Sequence, residues 1–227
     1  MLFDWAAQPW HTLVVTFIFA PYFVSAIAPD PVLGQALWAW TGAAAGLAIA
    51  ISAPLLGAAA DASGPRKPWI AGFGALYVLG AAALWWASPE PSSVWIALAA
   101  FAVGLIGAEY AAVFVNAMMP SLAGREEMGR LSGNGWALGY VGGVVALAIM
   151  LLALVDNEEG VTLLGAAPAF GLDAQAREGT RSVGPLTAIW FIVFALPLFL
   201  FVPDAQRKGP MRGALQRGLD DLKAALA

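Results

Sequence analysis

Residues 52–69 read Ser-Ala-Pro-Leu-Leu-Gly-Ala-Ala-Ala-Asp-Ala-Ser-Gly-Pro-Arg-Lys-Pro-Trp. An apolar run closes on Gly57, Asp61, Gly64, Arg66 and Lys67, and a second apolar run opens at Trp69. This is a short polar turn between two hydrophobic helices. The basic pair within it says which side of a membrane the turn occupies, because Lys and Arg concentrate in cytoplasmic loops.

Composition carries the same message across the chain. Of 227 residues, 60% are hydrophobic and only 11% charged, whereas soluble domains carry about a quarter charged residues. Lipid is therefore the expected solvent. The absence of cysteine excludes disulfides, thiolate metal sites and cysteine catalysis. The single histidine, His11, cannot build a His-rich metal site. Residues 1–10 contain Asp4 and no Lys or Arg, and the apolar stretch after them is too long for a signal-peptide core. They read as the approach to a retained first transmembrane helix.

Crossing the hydrocarbon takes about 20 apolar residues. Six segments qualify: 10–28, 37–60, 69–87, 94–118, 133–155 and 186–202. Between them lie Pro29-Asp30-Pro31, the 61–68 turn, 88–93, 120–132 and the long stretch 156–185. With the N-terminus inside, the cytoplasmic segments hold Arg66, Lys67, Arg125, Arg130, Arg207, Lys208, Arg212, Arg217 and Lys223, against Arg177 and Arg181 outside. Trp10, Trp38, Trp40, Trp69, Trp85, Trp86 and Trp95 fall near span ends, where an aromatic belt is expected. After Pro203, residues 203–227 read as a cytoplasmic amphipathic helix. Met211, Leu215, Leu219, Leu222 and Leu226 recur every three or four residues among charges.

The pattern Gly57-x3-Asp61-x2-Gly64-x-Arg66-Lys67 resembles the loop between the second and third helices of major facilitator superfamily transporters. Phe3-Asp4-Trp5-Ala6, Asn116-Ala117-Met118-Met119-Pro120, the run from Leu131 to Gly143 and the run from Trp190 to Leu198 are similar to the branch of vacuolar amino-acid effluxer-like permeases and their bacterial relatives. The resemblance implies an all-α membrane protein, the N-terminal six-helix half of a twelve-helix fold. Its tail would be the linker between halves, stopping just before a seventh helix. It further implies secondary transport of small solutes, with export of amino acids suggested. The expected location is the bacterial inner membrane, with both termini cytoplasmic.

Glu109, deep in the fourth span, is the strongest individual site residue, since a carboxylate in a membrane costs about 3 kcal/mol or more and marks substrate or proton paths. Either it handles protons or solute, or it is a neutral acid bonded between helices or hydrated near the interface. Asn116 and Asn134 could line a cavity or simply bond backbone. Gly57, Asp61, Gly64, Arg66 and Lys67 form a conformational latch if the resemblance holds, and otherwise topology signals plus a helix cap, with Asp61 receiving N–H groups of the following helix. Gly135, Gly139 and Gly143, like Gly42 and Gly46, put small faces on helices. These serve either packing within the bundle or the interface with a second half. Asp4 and Trp5 are gating candidates at the inner mouth, or a cap and anchor. His11 is read as interfacial rather than a proton relay. Pro21, Pro54 and Pro197 are expected to kink their helices.

Glu158, Glu159, Asp173 and Glu178 read as a solvated acidic loop, and 160–171 as apolar enough to lie on the membrane. No Walker loop, nucleophile elbow, zinc-peptidase helix or basic nucleic-acid stripe is present in the sequence. The expectation is thus a non-enzyme without cofactor, metal or nucleic-acid partner. It deals with the bilayer, a small solute, a proton, and a second half or second copy. A non-transporting membrane scaffold, regulatory subunit or inactive fragment is the rival reading.

Overall fold

The computed structural model describes residues 1–157, 160–206, 213 and 216, with Arg125 by its backbone alone. Six helices are long and apolar enough to cross a membrane: Leu2–Ile27, Pro31–Ser63, Lys67–Trp86, Pro91–Leu122, Glu126–Leu154 and Glu178–Phe201. No strand occurs among the described residues. The all-α expectation therefore holds. Of the tail, Met211, Leu215, Leu219, Leu222 and Leu226 lie outside the described residues, as do Glu158 and Glu159.

Several helices start earlier than hydropathy suggests. The second begins at Pro31 because Asp30 accepts hydrogen bonds from Val32 (2.9 Å) and Leu33 (3.3 Å), so Asp-Pro is a cap followed by a preorganised first residue. The first begins at Leu2, and its polar residues Asp4 and Gln8 pack on the fifth-helix glycines Gly135, Gly139 and Gly143. The fifth takes in most of the polar stretch expected as a loop, starting at Arg125. These shifts undo part of the expected aromatic belt. Trp10 is wholly buried, between Tyr77 and Phe101 at ring separations of 5.4 and 6.3 Å. Trp38 stacks on Phe101 at 3.9 Å. Trp86 and Trp95 are exposed at one end of the bundle, as a belt requires.

The first helix runs through the middle. It packs on the fifth and sixth, and the third bridges the sixth to the fourth. The second helix leans on the fourth and on the end of the first. Tight approach comes from glycine: a Cβ on Gly80 would collide with the backbone of Gly104, and one on Gly107 with the backbone of Tyr77. The third and fourth helices thus meet backbone to backbone, the close approach that stabilises helix pairs where lipid offers no hydrophobic drive.

The first helix is not uniformly α. Trp10–Phe17 and Phe23–Ile27 are π-helical, with Ile18 N–H donating to Leu13 O (3.0 Å) and Ala28 N–H to Phe23 O (2.9 Å). Between them Ile18 departs to φ −120°, ψ −61°. Pro21 supplies the reason: it has no N–H for the carbonyl of Phe17, and its ring crowds that carbonyl. At the far end Tyr22 donates to Ala87 O (2.8 Å). Arg181, read from sequence as an outer-loop charge, is buried there; it donates to Trp85 O (2.7 Å) and lies over the Trp85 ring.

Candidate functional site

The turn after the second helix is built around Gly64, whose φ of 95° favours glycine and whose N–H closes on Ala60 O at 3.0 Å. The Arg66 guanidinium reaches back to the Asp61 carboxylate and to the carbonyls of Ala60 (2.6 Å) and Gly64 (3.1 Å). Asp61 therefore does not receive the N–H groups of the third helix, as its sequence position suggests. That role falls to Asp204, which accepts from Arg66 N–H (2.9 Å) and Lys67 N–H (3.0 Å). Lys67 Nζ donates to Phe199 O at 2.8 Å. The turn thereby ties the end of the second helix to the end of the sixth. Gly57 takes no part in close packing, since nothing lies within 4 Å of its Cβ position.

The two glycine faces separate. Gly135 and Gly139 lie under Asp4, and Gly143 under Gln8 and Thr12, so this stripe seats the first helix. Gly142, absent from the four-residue pattern, lies against Trp5. Gly42 meets only the edge of Phe101 at 3.8 Å, and Gly46 has nothing within 4 Å. Trp5 is stacked on Trp190 at 5.7 Å, and Trp190 Nε1 donates to Trp5 O (2.9 Å). Asp4 makes no cap bond to backbone; its Oδ2 is 3.0 Å from the Met1 amino group.

Glu109 opens on a cavity of about 430 Å3 between the first, fourth and fifth helices. Its lining includes Asp4, Gln8, His11, Asn116, Trp136 and Tyr140. His11 Nε2 stands 3.9 Å from Glu109 Oε1, each side chain being 43% exposed. His11 lies nine residues past the start of the first helix and faces Glu109 across this cavity. Asn134 is apart, on a smaller cavity with Glu127 and Arg130. A second cavity, about 480 Å3 and mainly apolar, adjoins the first through Phe3, Asp4, Asn116 and Trp136. Sequence reasoning overlooked Gln8, and it did not pair His11 with Glu109. The signal was present: Asp4, Gln8 and His11 follow i, i+4, i+7 spacing and mark one polar stripe on an apolar helix.

Residues 37–225 match the family described as vacuole effluxer Atg22 like. The chain belongs to this family. It is also 28% identical, over 206 residues, to the Bacillus subtilis (strain 168) protein named "Uncharacterized MFS-type transporter YxiO". That alignment takes in 89% of this chain and 45% of the relative, so the chain spans about half the length of the curated relative it matches. No solved structure matches it. Membership of the Atg22-like family, the MFS-type relative and the six apolar helices together assign an integral, multi-pass membrane protein with the architecture of half a major facilitator fold.

Proposed function

We propose that this chain forms the N-terminal half of a secondary transporter that moves small solutes, amino acids foremost, by alternating access. A second six-helix half, or a second copy of this one, completes the path. Glu109 and His11 handle the proton or the solute, and Asn116 lines the route. The Gly57–Lys67 turn acts as the latch on the cytoplasmic side, where the Lys and Arg bias puts both termini, and the bilayer is an inner membrane. The observation that supports this most is a polar pair, Glu109 and His11, facing a cavity within an apolar bundle, because intramembrane ionisable residues mark transport paths.

The test is flux from the native protein carrying this sequence, reconstituted in liposomes loaded with a labelled amino-acid mixture under an imposed pH gradient. Gradient-driven release, lost in Glu109→Gln, is the expected result. Release by Glu109→Gln equal to wild type at every gradient removes the proton role. Intact assembly with no release of any solute favours the scaffold reading.

A further inference from the structure

The charge of the cavity is one-sided. Glu109 and Asp4 supply carboxylates, Gln8 and Asn116 supply neutral amides, and among the described residues no Lys or Arg lines it. The cations near it are the Met1 amino group beside Asp4 and, when protonated, His11 beside Glu109. Trp136 and Tyr140, one turn apart on the fifth helix with ring centroids 6.0 Å apart, add two exposed aromatic rings to the same lining. A carboxylate and aromatic rings lining one cavity attract an ammonium group through charge and through the ring quadrupole. The same surroundings repel a solute carboxylate, for which this wall offers no guanidinium or ammonium side chain. The adjoining cavity, lined by Met118, Met119, Leu122, Leu198 and Phe201, continues the space with apolar surface.

We propose that this wall binds the cationic end of an amphipathic organic amine, with the ammonium at Glu109 beside Trp136 and Tyr140 and the apolar tail in the Met118–Met119 cavity. The proposal rests on the reading that this cavity is the solute site, and it narrows the solute class from small solutes at large to amines. For an amino acid, it assigns the amino group to this half and leaves the carboxylate to the opposite wall.

Binding decides it without any need for flux. The native protein in lipid nanodiscs is titrated calorimetrically with 4-phenylbutylamine, its neutral counterpart 4-phenylbutanol and its anionic counterpart 4-phenylbutanoate. The amine is expected to bind at least about tenfold more tightly than the alcohol, a difference of about 1.4 kcal/mol, and the acid not at all. Glu109→Gln should remove most of the amine's advantage over the alcohol, and Trp136→Leu should weaken the amine more than the alcohol. Equal binding of amine and alcohol to the native protein, or tighter binding of the acid, overturns the proposal. If Glu109→Gln fails to assemble, the three-ligand comparison on the native protein still decides. Amine binding without flux would sink the transport reading alone. Amino-acid flux with no preference for the amine would sink this one alone.

Discussion

Asp204 Oδ2 lies 3.0 Å from the backbone nitrogen of Lys67, and its Oδ1 lies 2.9 Å from that of Arg66, so a residue beyond the sixth helix caps the third. The orphan N–H groups at a helix start need an acceptor, and a carboxylate there also meets the positive end of the helix dipole. Nothing near Lys67 in sequence supplies it. The segment after the sixth helix is thereby fastened to the turn that carries Arg66.

Replacing Asp204 by Ala should remove about 1 kcal/mol of stability, the usual effect of losing such a cap, while Asp204→Asn keeps an acceptor oxygen and loses less. Thermal unfolding in nanodiscs, followed by intrinsic fluorescence, orders the three proteins. A ranking with Ala as stable as wild type would remove the cap from the account.

Arg66 and Asp61 should respond unequally. Asp61→Asn removes one partner of a guanidinium that still holds the carbonyls of Ala60 and Gly64, and Asp61 is largely exposed, so the loss is expected below about 1 kcal/mol. Arg66→Ala frees all three acceptors and should lose more. Arg66→Lys should resemble Ala, because one ammonium cannot reproduce the planar fork. Protease cutting at the turn, timed for each variant, gives the comparison.

The glycine faces predict opposite outcomes for one substitution. Gly143→Leu drives a side chain into Gln8 and Thr12 and should destabilise the bundle by about 1–3 kcal/mol, as overpacking does. Gly46→Leu meets open space and should leave the thermal transition of this bundle unmoved. Should Gly46→Leu prevent assembly with the proposed second half while sparing the bundle, the interface role of that face is supported. Size-exclusion mass and thermal unfolding on the same samples separate the two effects.

Tyr110 ties the second and fourth helices: its hydroxyl donates to Ile49 O (3.2 Å) and adjoins the Ser52 hydroxyl, itself bonded to Ala48 O (2.5 Å). Tyr110→Phe should cost about 1 kcal/mol and loosen the second helix just before Pro54, visible as faster amide exchange at residues 48–53. Unchanged exchange there would mean the phenol contributes only its ring.

The helix count was legible because length and hydropathy are local properties, and the 52–69 stretch pointed to the major facilitator superfamily for the same reason. The starts of the first and second helices were not, because Asp4 and Gln8 turn a polar stripe inward and Asp30 acts as a cap. Hydropathy counts all three simply as polar. Glu109 was legible as a carboxylate out of place in an apolar span. Its neighbour His11 was not, since which faces of the first and fourth helices meet depends on packing around Trp10 and Gly104. Asp204 was out of reach for a related reason: its target is distant in sequence, and only the folded bundle brings the two together.

The widened turns of the first helix make it the place where this sequence can lose a residue. Between Trp10 and Phe17 the hydrogen bonds run five residues back rather than four, so more residues are wound into each turn than an α-helix needs. A one-residue deletion there can relax into ordinary α geometry and keep the side chains on either side in phase. The same deletion between Lys67 and Ala83, α throughout and locked against the fourth helix at Gly80, would rotate every later side chain by about 100°. Length variation among related chains should therefore be tolerated in the first helix and absent from the third.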